Sequence, residues 1–382
     1  MSESAGAGVV GPTTAESASA SAAATPTTTE IARAERIEGR GARRILYLDG
    51  WRGISLICVL VGHFAGLNAL KMGPLGVDLF FVLSGRLMAE ILFVERFPLK
   101  RFYARRFSRI YPALLAFALI VFFVLMKSPL RVHAPFVATC LTFTYNYVAA
   151  VLHHRTDALD HIWSLCVEEH AYMLLGLIAL VSRVRRLPVI LIIGLLAAAS
   201  MIDGVVSSLI GQDWFDAYWR TDTHVASVLV SAALYLATRR MAGLEASAVA
   251  SWLAPLCAVM GAAFYGSAFS YRLSYTAGTT LLAVAVCTLD VAPVWMRSLL
   301  SNRFLTWVGV LSYSIYLWQQ PFYSALSLEP HTLGRTLALL TGAIAAGAAS
   351  FYLLEQPARQ FLNRMFAGGR SRTAELAVSP AR

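Results

Sequence analysis

Arg52 and His63 stand eleven residues apart in an apolar stretch of the chain. In a helix, at about 1.5 Å per residue, they lie about 16 Å apart along the axis and nearly on one face. That spacing puts a guanidinium near one membrane surface and an imidazole well inside. A histidine, with its near-neutral pKa, suits proton transfer; the other role open to it is a structural bond to a neighbouring carbonyl. Further on, Glu168 and Glu169 are adjacent in His161-Ile162-Trp163-Ser164-Leu165-Cys166-Val167-Glu168-Glu169-His170-Ala171-Tyr172. Adjacent helical residues point about 100° apart, so one carboxylate can orient His63 while the other meets a loop. A charge inside a spanning helix is costly unless paired or wetted, which makes each of these a functional candidate.

More charges stand where lipid is expected. Gly73-Pro74-Leu75-Gly76-Val77-Asp78 leads into Leu79-Phe80-Phe81-Val82-Leu83-Ser84-Gly85-Arg86. Asp78 is expected at the outer start of the second helix, where a carboxylate complements the helix dipole. It reads as a cap or as a substrate-binding group. Arg86 falls inside the span and needs a carboxylate, a carbonyl or a wet cavity. The run Lys100-Arg101-Phe102-Tyr103-Ala104-Arg105-Arg106-Phe107-Ser108-Arg109 is expected on the cytoplasmic side. Arg105 and Arg109, at i,i+4, can face one anionic group, and guanidinium forks match phosphate oxygens. The same charges serve as a topology signal and as lipid head-group contacts.

On the outer side Arg220-Thr221-Asp222 adds an ion pair. Nearby Trp214, Phe215, Tyr218 and Trp219 offer either sugar-stacking rings or an interfacial aromatic belt. His153, His154, His161 and His170 raise the question of a metal, but adjacent His153-His154 cannot present both imidazoles on one helical face. No metal site is expected.

The elements that position these groups follow from composition. Of the 382 residues, 57% are apolar and 14% charged, against about 45–50% and about 25% in an ordinary soluble domain. Repeated apolar runs of roughly 18–20 residues match a bilayer-spanning helix. A soluble enzyme, a disulfide-stapled module and a nucleic-acid binder are poor fits. The net charge of +10 sits between apolar runs, where it sets orientation. Cys58, Cys140, Cys166, Cys257 and Cys287 show no C-x-x-C spacing and read as free buried thiols.

Apolar segments fall at roughly 53–70, 75–94, 108–126, 135–152, 162–182, 188–209, 222–238, 250–268, 274–292, 304–324 and 334–354. If all crossed, the basic loops around Arg96–Arg109 and Arg183–Arg186 would fall on opposite sides, against the positive-inside rule. Segment 135–152, with Thr139, Thr142, Thr144 and Asn146, is the weakest and reads as re-entrant or interfacial. The expected fold is an all-α transmembrane bundle of about ten spanning helices plus that segment, with both termini cytoplasmic. Residues 1–44 read as a disordered tail ending in a basic patch of Arg33, Arg36, Arg40, Arg43 and Arg44. Residues 45–365 form the membrane unit and 366–382 a second disordered polar tail. The Ala- and Arg-rich usage points to a GC-rich bacterium, and the expected location of the multi-pass bundle is the bacterial cytoplasmic (inner) membrane.

Taken in order, these strings resemble the membrane acyltransferase-3 family of transmembrane O-acyltransferases. The matching pieces are Leu48-Asp49-Gly50-Trp51-Arg52-Gly53 with His63, Gly76 to Gly85, Arg105/Arg106 with Arg109-Ile110-x-Pro112, and Trp163-Ser164-Leu165 with Val167-Glu168-Glu169 and Tyr172. Weaker matches are Arg220-x-Asp222, Gly309 with Ser312 to Leu317, and Glu355-Gln356-Pro357 with Arg359. Two departures stand out. The family usually has an aromatic or apolar residue in place of Arg86. It often has a histidine before the late proline, where this chain has Trp318-Gln319-Gln320-Pro321. Neither departure is expected to touch the Arg52/His63 pair or the glutamates.

The resemblance implies transfer of an acyl group, expected to be acetyl, from acyl-CoA as co-substrate to a hydroxyl. The acceptor would be a carbohydrate, glycolipid or glycosylated small molecule; no tightly bound cofactor and no nucleic acid are expected. His63 is the expected base, with Glu168 or Glu169 fixing its tautomer and Arg52 beside them. Arg105, Arg106, Arg109 and Arg86 are expected on the acyl donor, and Asp78, Trp163, Arg220 and Asp222 on the acceptor. The competing reading is a secondary transporter using intramembrane Arg, His and Glu as a proton relay, although no paired halves are visible. A purely structural or receptor role leaves the buried charges without a purpose.

Overall fold

The structure, a computed structural model, describes residues 45–66, 69–240 and 248–377. The tail read over 1–44 lies outside the described residues. Every regular element among those described is helical, and an isolated bridge, Leu70 to Gly266, ties two loops. Among the described residues four helices are long and apolar enough to cross a bilayer, namely Leu99–Val124, Ile162–Val184, Val189–Leu209 and Leu333–Phe366. The last is continuous through a widened turn at Phe351–Glu355. Along Val189–Leu209, Leu195 and Ile202 are 61% and 63% exposed, as an apolar face turned to lipid should be.

The site rests on a centre of three helices. Helix α1 (Leu46–Phe64) packs between α2 (Met72–Ala89) and a later helix, Arg303–Leu326. Small residues permit this. A Cβ at Gly50 would lie 1.6 Å from the Leu300 carbonyl oxygen, and one at Gly53 2.3 Å from that of Leu305. On the other side of α1, a Cβ at Gly62 would lie 2.4 Å from the Gly73 nitrogen. Without a hydrophobic drive between helices in lipid, such backbone approach supplies the packing.

Next in order are α3 (Leu99–Val124), α4 (Ala134–Leu141), α5 (Tyr145–Val151), α6 (Ile162–Val184), α7 (Val189–Leu209), α8 (Trp214–Trp219), α9 (Thr221–His224) and α10 (Ala226–Thr238). They are followed by α11 (Ala248–Ala263), α12 (Thr279–Cys287), α13 (Val294–Leu300), α14 (Arg303–Leu326), α15 (Leu333–Ser350) and α16 (Gln356–Ala377). Helices α10 and α12 pack on α2, and α15 covers α14.

Two sequence boundaries change, and one expected break is present. The basic run read as a loop forms the first turns of α3, with Pro112 inside that helix; Phe102 and Ile110 are buried on its inner face, while Tyr103, Arg105 and Phe107 are exposed. The polar tail expected from 366 is helical as far as Ala377, in a stretch rich in good helix formers. Segment 135–152 is broken as expected: α4 and α5 have 8 and 7 residues, too short for a hydrocarbon core of about 30 Å. They meet at Phe143, whose φ is 54°. Protein covers the break, since Asn146 is buried and donates to the Trp219 carbonyl at 3.2 Å and to Thr221 Oγ1 at 3.0 Å.

Candidate active site

His63 lies in the last turn of α1, where the Gly62–Gly73 contact brings α2 against it. Its Nδ1 is 2.7 Å from Gln319 Oε1 on α14. Its ring stacks on Tyr323 with centroids 4.3 Å apart and planes 12° from parallel. The other ring nitrogen faces Gly73: a Cβ there would lie 3.9 Å from Nε2, with nothing but the imidazole within 4 Å. One nitrogen is thus tied, and the other faces the bare backbone of Gly73.

The glutamates are elsewhere, which corrects the expectation that one of them orients His63. Glu168 accepts from Ser84 Oγ at 2.5 Å and from the Tyr172 hydroxyl. Glu169 accepts from Arg106 Nη2 at 2.8 Å, and that guanidinium lies 3.4 Å from the centre of the Tyr172 ring. Ser84 is eleven residues along α2 from Gly73, hence about 16 Å away. Arg52 is the same distance from His63 along α1, so the glutamates share the level of Arg52. Spacing within one helix gave direction around its own axis but not its height against a neighbour.

That lower level is a cluster of charge. Arg52 contacts Asp49 at 3.3 Å and is within electrostatic reach of Arg109 and Glu168. Arg109 is in turn within reach of Arg359 and Glu355, and Arg359 of Arg105. Glu355, turned inward at the widened turn, accepts from Ser314 Oγ. Arg106 is committed to Glu169, whereas Arg105 is exposed and lies over the Phe97 ring at 4.8 Å. Arg52, Arg105, Arg109 and Arg359 therefore form the cationic side of this level.

Arg86 does not belong to it. Only 1% exposed, it donates to the Val286 carbonyl at 2.7 Å and pairs with Asp290 at 2.5 Å, which also accepts from Tyr47 at 2.7 Å. The expected donor contact is corrected to a tie between α2 and the end of α12. Asp78 is corrected too. The helix begins at Met72, so Asp78 sits in its second turn rather than at its start. There it is fully buried and accepts from His224 Nε2 at 3.0 Å, Ser227 at 2.8 Å and Tyr265 at 2.6 Å. A carboxylate with three donors is satisfied in the interior and pins α2 to α9, α10 and the turn after α11. Trp163 is buried among Phe81, Tyr218, Trp219 and His224, so it meets protein rather than an open cleft. Tyr218 and Trp219 are buried likewise; the side chains of Trp214 and Phe215 lie outside those described.

Arg220 and Asp222 are brought together on the outer side. Arg220 bonds both oxygens of Asp222, Asp203 at 3.1 Å and Gln212 at 3.3 Å; the Asp222 bond is the leading cause that raises its pKa above the ordinary arginine value. They line a cavity of about 620 Å³ with Tyr147, His153, Gln212 and Asp216, within the usual size range of small-molecule sites.

Gln319, Asp290 and His224 are the partners that the reading of motifs missed. For Gln319 a signal existed, because it stands in the late segment where the chain departs from the resemblance. That departure does touch His63, contrary to expectation. For Asp290 and His224 nothing in the local sequence marks the partner, since each meets its partner about 150 to 200 residues away in the chain.

The described helices thus carry partly buried Arg, His and Glu side chains at two levels about 16 Å apart. Residues 45–354 match the family model described as acyltransferase domain, acyltransferase 3, and the chain belongs to that family. It is similar to the peptidoglycan O-acetyltransferase OatA of Listeria monocytogenes, 26% identical over 83% of this chain and 56% of the relative. It is similar also to the putative peptidoglycan O-acetyltransferase YrhL of Bacillus subtilis, 28% identical over 83% of this chain and 55% of the relative. The O-acetyltransferase OatA of Staphylococcus aureus is 27% identical over 72% of this chain and 50% of the relative. The chain thus spans about half the length of the curated relatives it matches. No solved structure matches it.

Proposed function

We propose that the protein is an integral-membrane O-acetyltransferase of the bacterial cytoplasmic membrane. It moves an acetyl group from acetyl-CoA to a hydroxyl of a cell-envelope carbohydrate, with His63 as general base. The observation that carries this reading is a tied, stacked imidazole whose Nε2 faces Gly73, about 16 Å from the level where Arg52, Arg105, Arg109 and Arg359 gather. Names of the relatives place their acceptor in the peptidoglycan class, and we take a glycan of that class as the acceptor here. Family membership favours the enzyme over a proton-coupled transporter. About ten crossings with both termini inside put the arginine level at the cytoplasmic face.

In this reading Arg105, Arg109, Arg359 and Arg52 hold the phosphates of the donor, a fit that planar guanidinium forks favour. Arg106 keeps Glu169 neutralised and its own position fixed. The thioester arm extends along α1 toward His63. The acceptor enters from the outer side past Arg220 and Asp222, whose paired donors and acceptors suit vicinal hydroxyls. Detergent-purified protein given labelled acetyl-CoA and glycan fragments should place label on the glycan as an alkali-labile ester. Unlabelled glycan, with no binding of coenzyme A to the protein, would sink the reading.

Gly73 gives a finer test. A Cβ there makes ordinary contact with the imidazole, so Gly73→Ala should keep kcat/KM near the native value. Gly73→Leu pushes its side chain into the space before Nε2 and should lower kcat/KM by about 10²-fold, as small misplacements at a reacting atom do. Native gel filtration of both variants would confirm that access, not folding, changed.

A further inference from the structure

We propose that Gln319, held in one orientation by Gln320, is the positioning residue that fixes the tautomer of His63. This rests on the reading of His63 as base. Both glutamines are buried, Gln319 fully. Gln320 Nε2 donates to the backbone carbonyl of Asp157 at 2.9 Å, and Gln319 Nε2 donates to Gln320 Oε1 at 3.2 Å. Gln319 Oε1 then faces His63 Nδ1 at 2.7 Å.

The polarity of this chain follows from its end. A peptide carbonyl can only accept, so Gln320 must turn its NH2 to Asp157 and its oxygen to Gln319. Gln319 must then give its NH2 to Gln320, which leaves only its oxygen for the imidazole. An oxygen acceptor requires a proton on Nδ1, and in the neutral ring this leaves the lone pair on Nε2. That nitrogen is the one facing Gly73. Reversing either amide would set two acceptors or two donors together in a dry interior, which costs a bond and strands a buried polar group. Ser324 Oγ donates to the same Asp157 carbonyl at 2.8 Å and holds the anchor in place.

The proton balance of the reaction uses this arrangement directly. Nε2 takes the hydroxyl proton as the acceptor oxygen bonds to the acyl carbon. The carbon–sulfur bond of the thioester breaks, and the imidazolium returns the proton to the leaving thiolate. Nδ1 keeps its proton throughout, held by a neutral amide where many such histidines have a carboxylate. The other titratable groups facing His63 are Tyr323, stacked from α14, and His161, in the turn before α6 and within electrostatic reach.

The test is a set of variants compared by kcat, KM for acetyl-CoA and the pH–rate profile. Gln319→Leu removes the acceptor, and kcat should fall by about 10- to 100-fold with KM unchanged. Gln319→Glu keeps an acceptor for Nδ1 but sets its second oxygen against Gln320 Oε1, so it should retain more of kcat than Gln319→Leu. Its negative charge stabilises the imidazolium, so the acidic limb of the profile should move up by about one pH unit. Gln320→Leu frees Gln319 to turn, and should cost about 10-fold alone. In the Gln319→Glu background it should cost nothing, because both oxygens of a carboxylate accept, orientation no longer matters, and the acceptor facing the carboxylate is gone.

Equal cost of Gln320→Leu in the two backgrounds, or native kcat in Gln319→Leu, would overturn the proposal. Transfer by the wild type that is lost in His63→Ala but indifferent to every glutamine variant would overturn it while leaving the function reading intact. Absence of transfer by the wild type would overturn both.

Discussion

His63→Ala should lower acetyl transfer by about 10²- to 10⁴-fold, the usual contribution of general acid–base catalysis. The protein should still run as a folded bundle. The imidazole stacks on Tyr323 and, among the described residues, is hydrogen-bonded to Gln319, so its removal leaves the glycine-mediated contacts of α1 in place. The Gln319 amide left behind loses one partner but keeps its bond to Gln320. His63→Gln, which restores a donor of similar reach but no base, should be as inactive as alanine. KM for acetyl-CoA should change little, because the arginine cluster lies about 16 Å away. Initial rates with labelled acetyl-CoA, with the melting temperature of each variant in detergent, give the measurement. Retention of more than about a tenth of the native rate would exclude His63 as the base.

Gly309→Leu should abolish the folded state rather than slow the reaction. A Cβ at position 309 on α14 would fall 1.8 Å from the backbone oxygen of Asp49 on α1. The obstacle is backbone, which cannot turn aside as a side-chain tip can, and Gly50 and Gly53 are under the same restriction along the same α1 face. The two helices would have to separate along their length, taking Gln319 away from His63. Overpacking of this kind ranks among the largest destabilisations a single residue can cause. Gly194→Ala is the matched control. Nothing lies within 4 Å of a Cβ at that position on α7, and alanine improves helix propensity by about 1 kcal/mol. Yield of monodisperse protein from detergent extracts should collapse for the first variant and hold for the second.

Both outcomes bear on what could be read along the chain. Apolar composition and runs of bilayer length settle a helical membrane bundle, because the bilayer forces each spanning segment to satisfy its own backbone. The break at 135–152 was legible in its threonines and asparagine. The ordered strings around Arg52, His63, Asp78, Glu168 and Glu169 were enough to carry the family resemblance. The pairing of those charges was not legible. Arg86 meets Asp290, Asp78 meets His224 and His63 meets Gln319 across separations of 204, 146 and 256 residues. Helical periodicity fixes the face on which a side chain emerges, which is a local property of the backbone. The height of that face against its neighbours is decided by where glycines let two backbones touch, and only the tertiary structure sets those crossing points. The sequence by itself therefore determined which charged groups stand in apolar helices; the fold decided that the glutamates share the level of the arginines and that an amide holds the histidine.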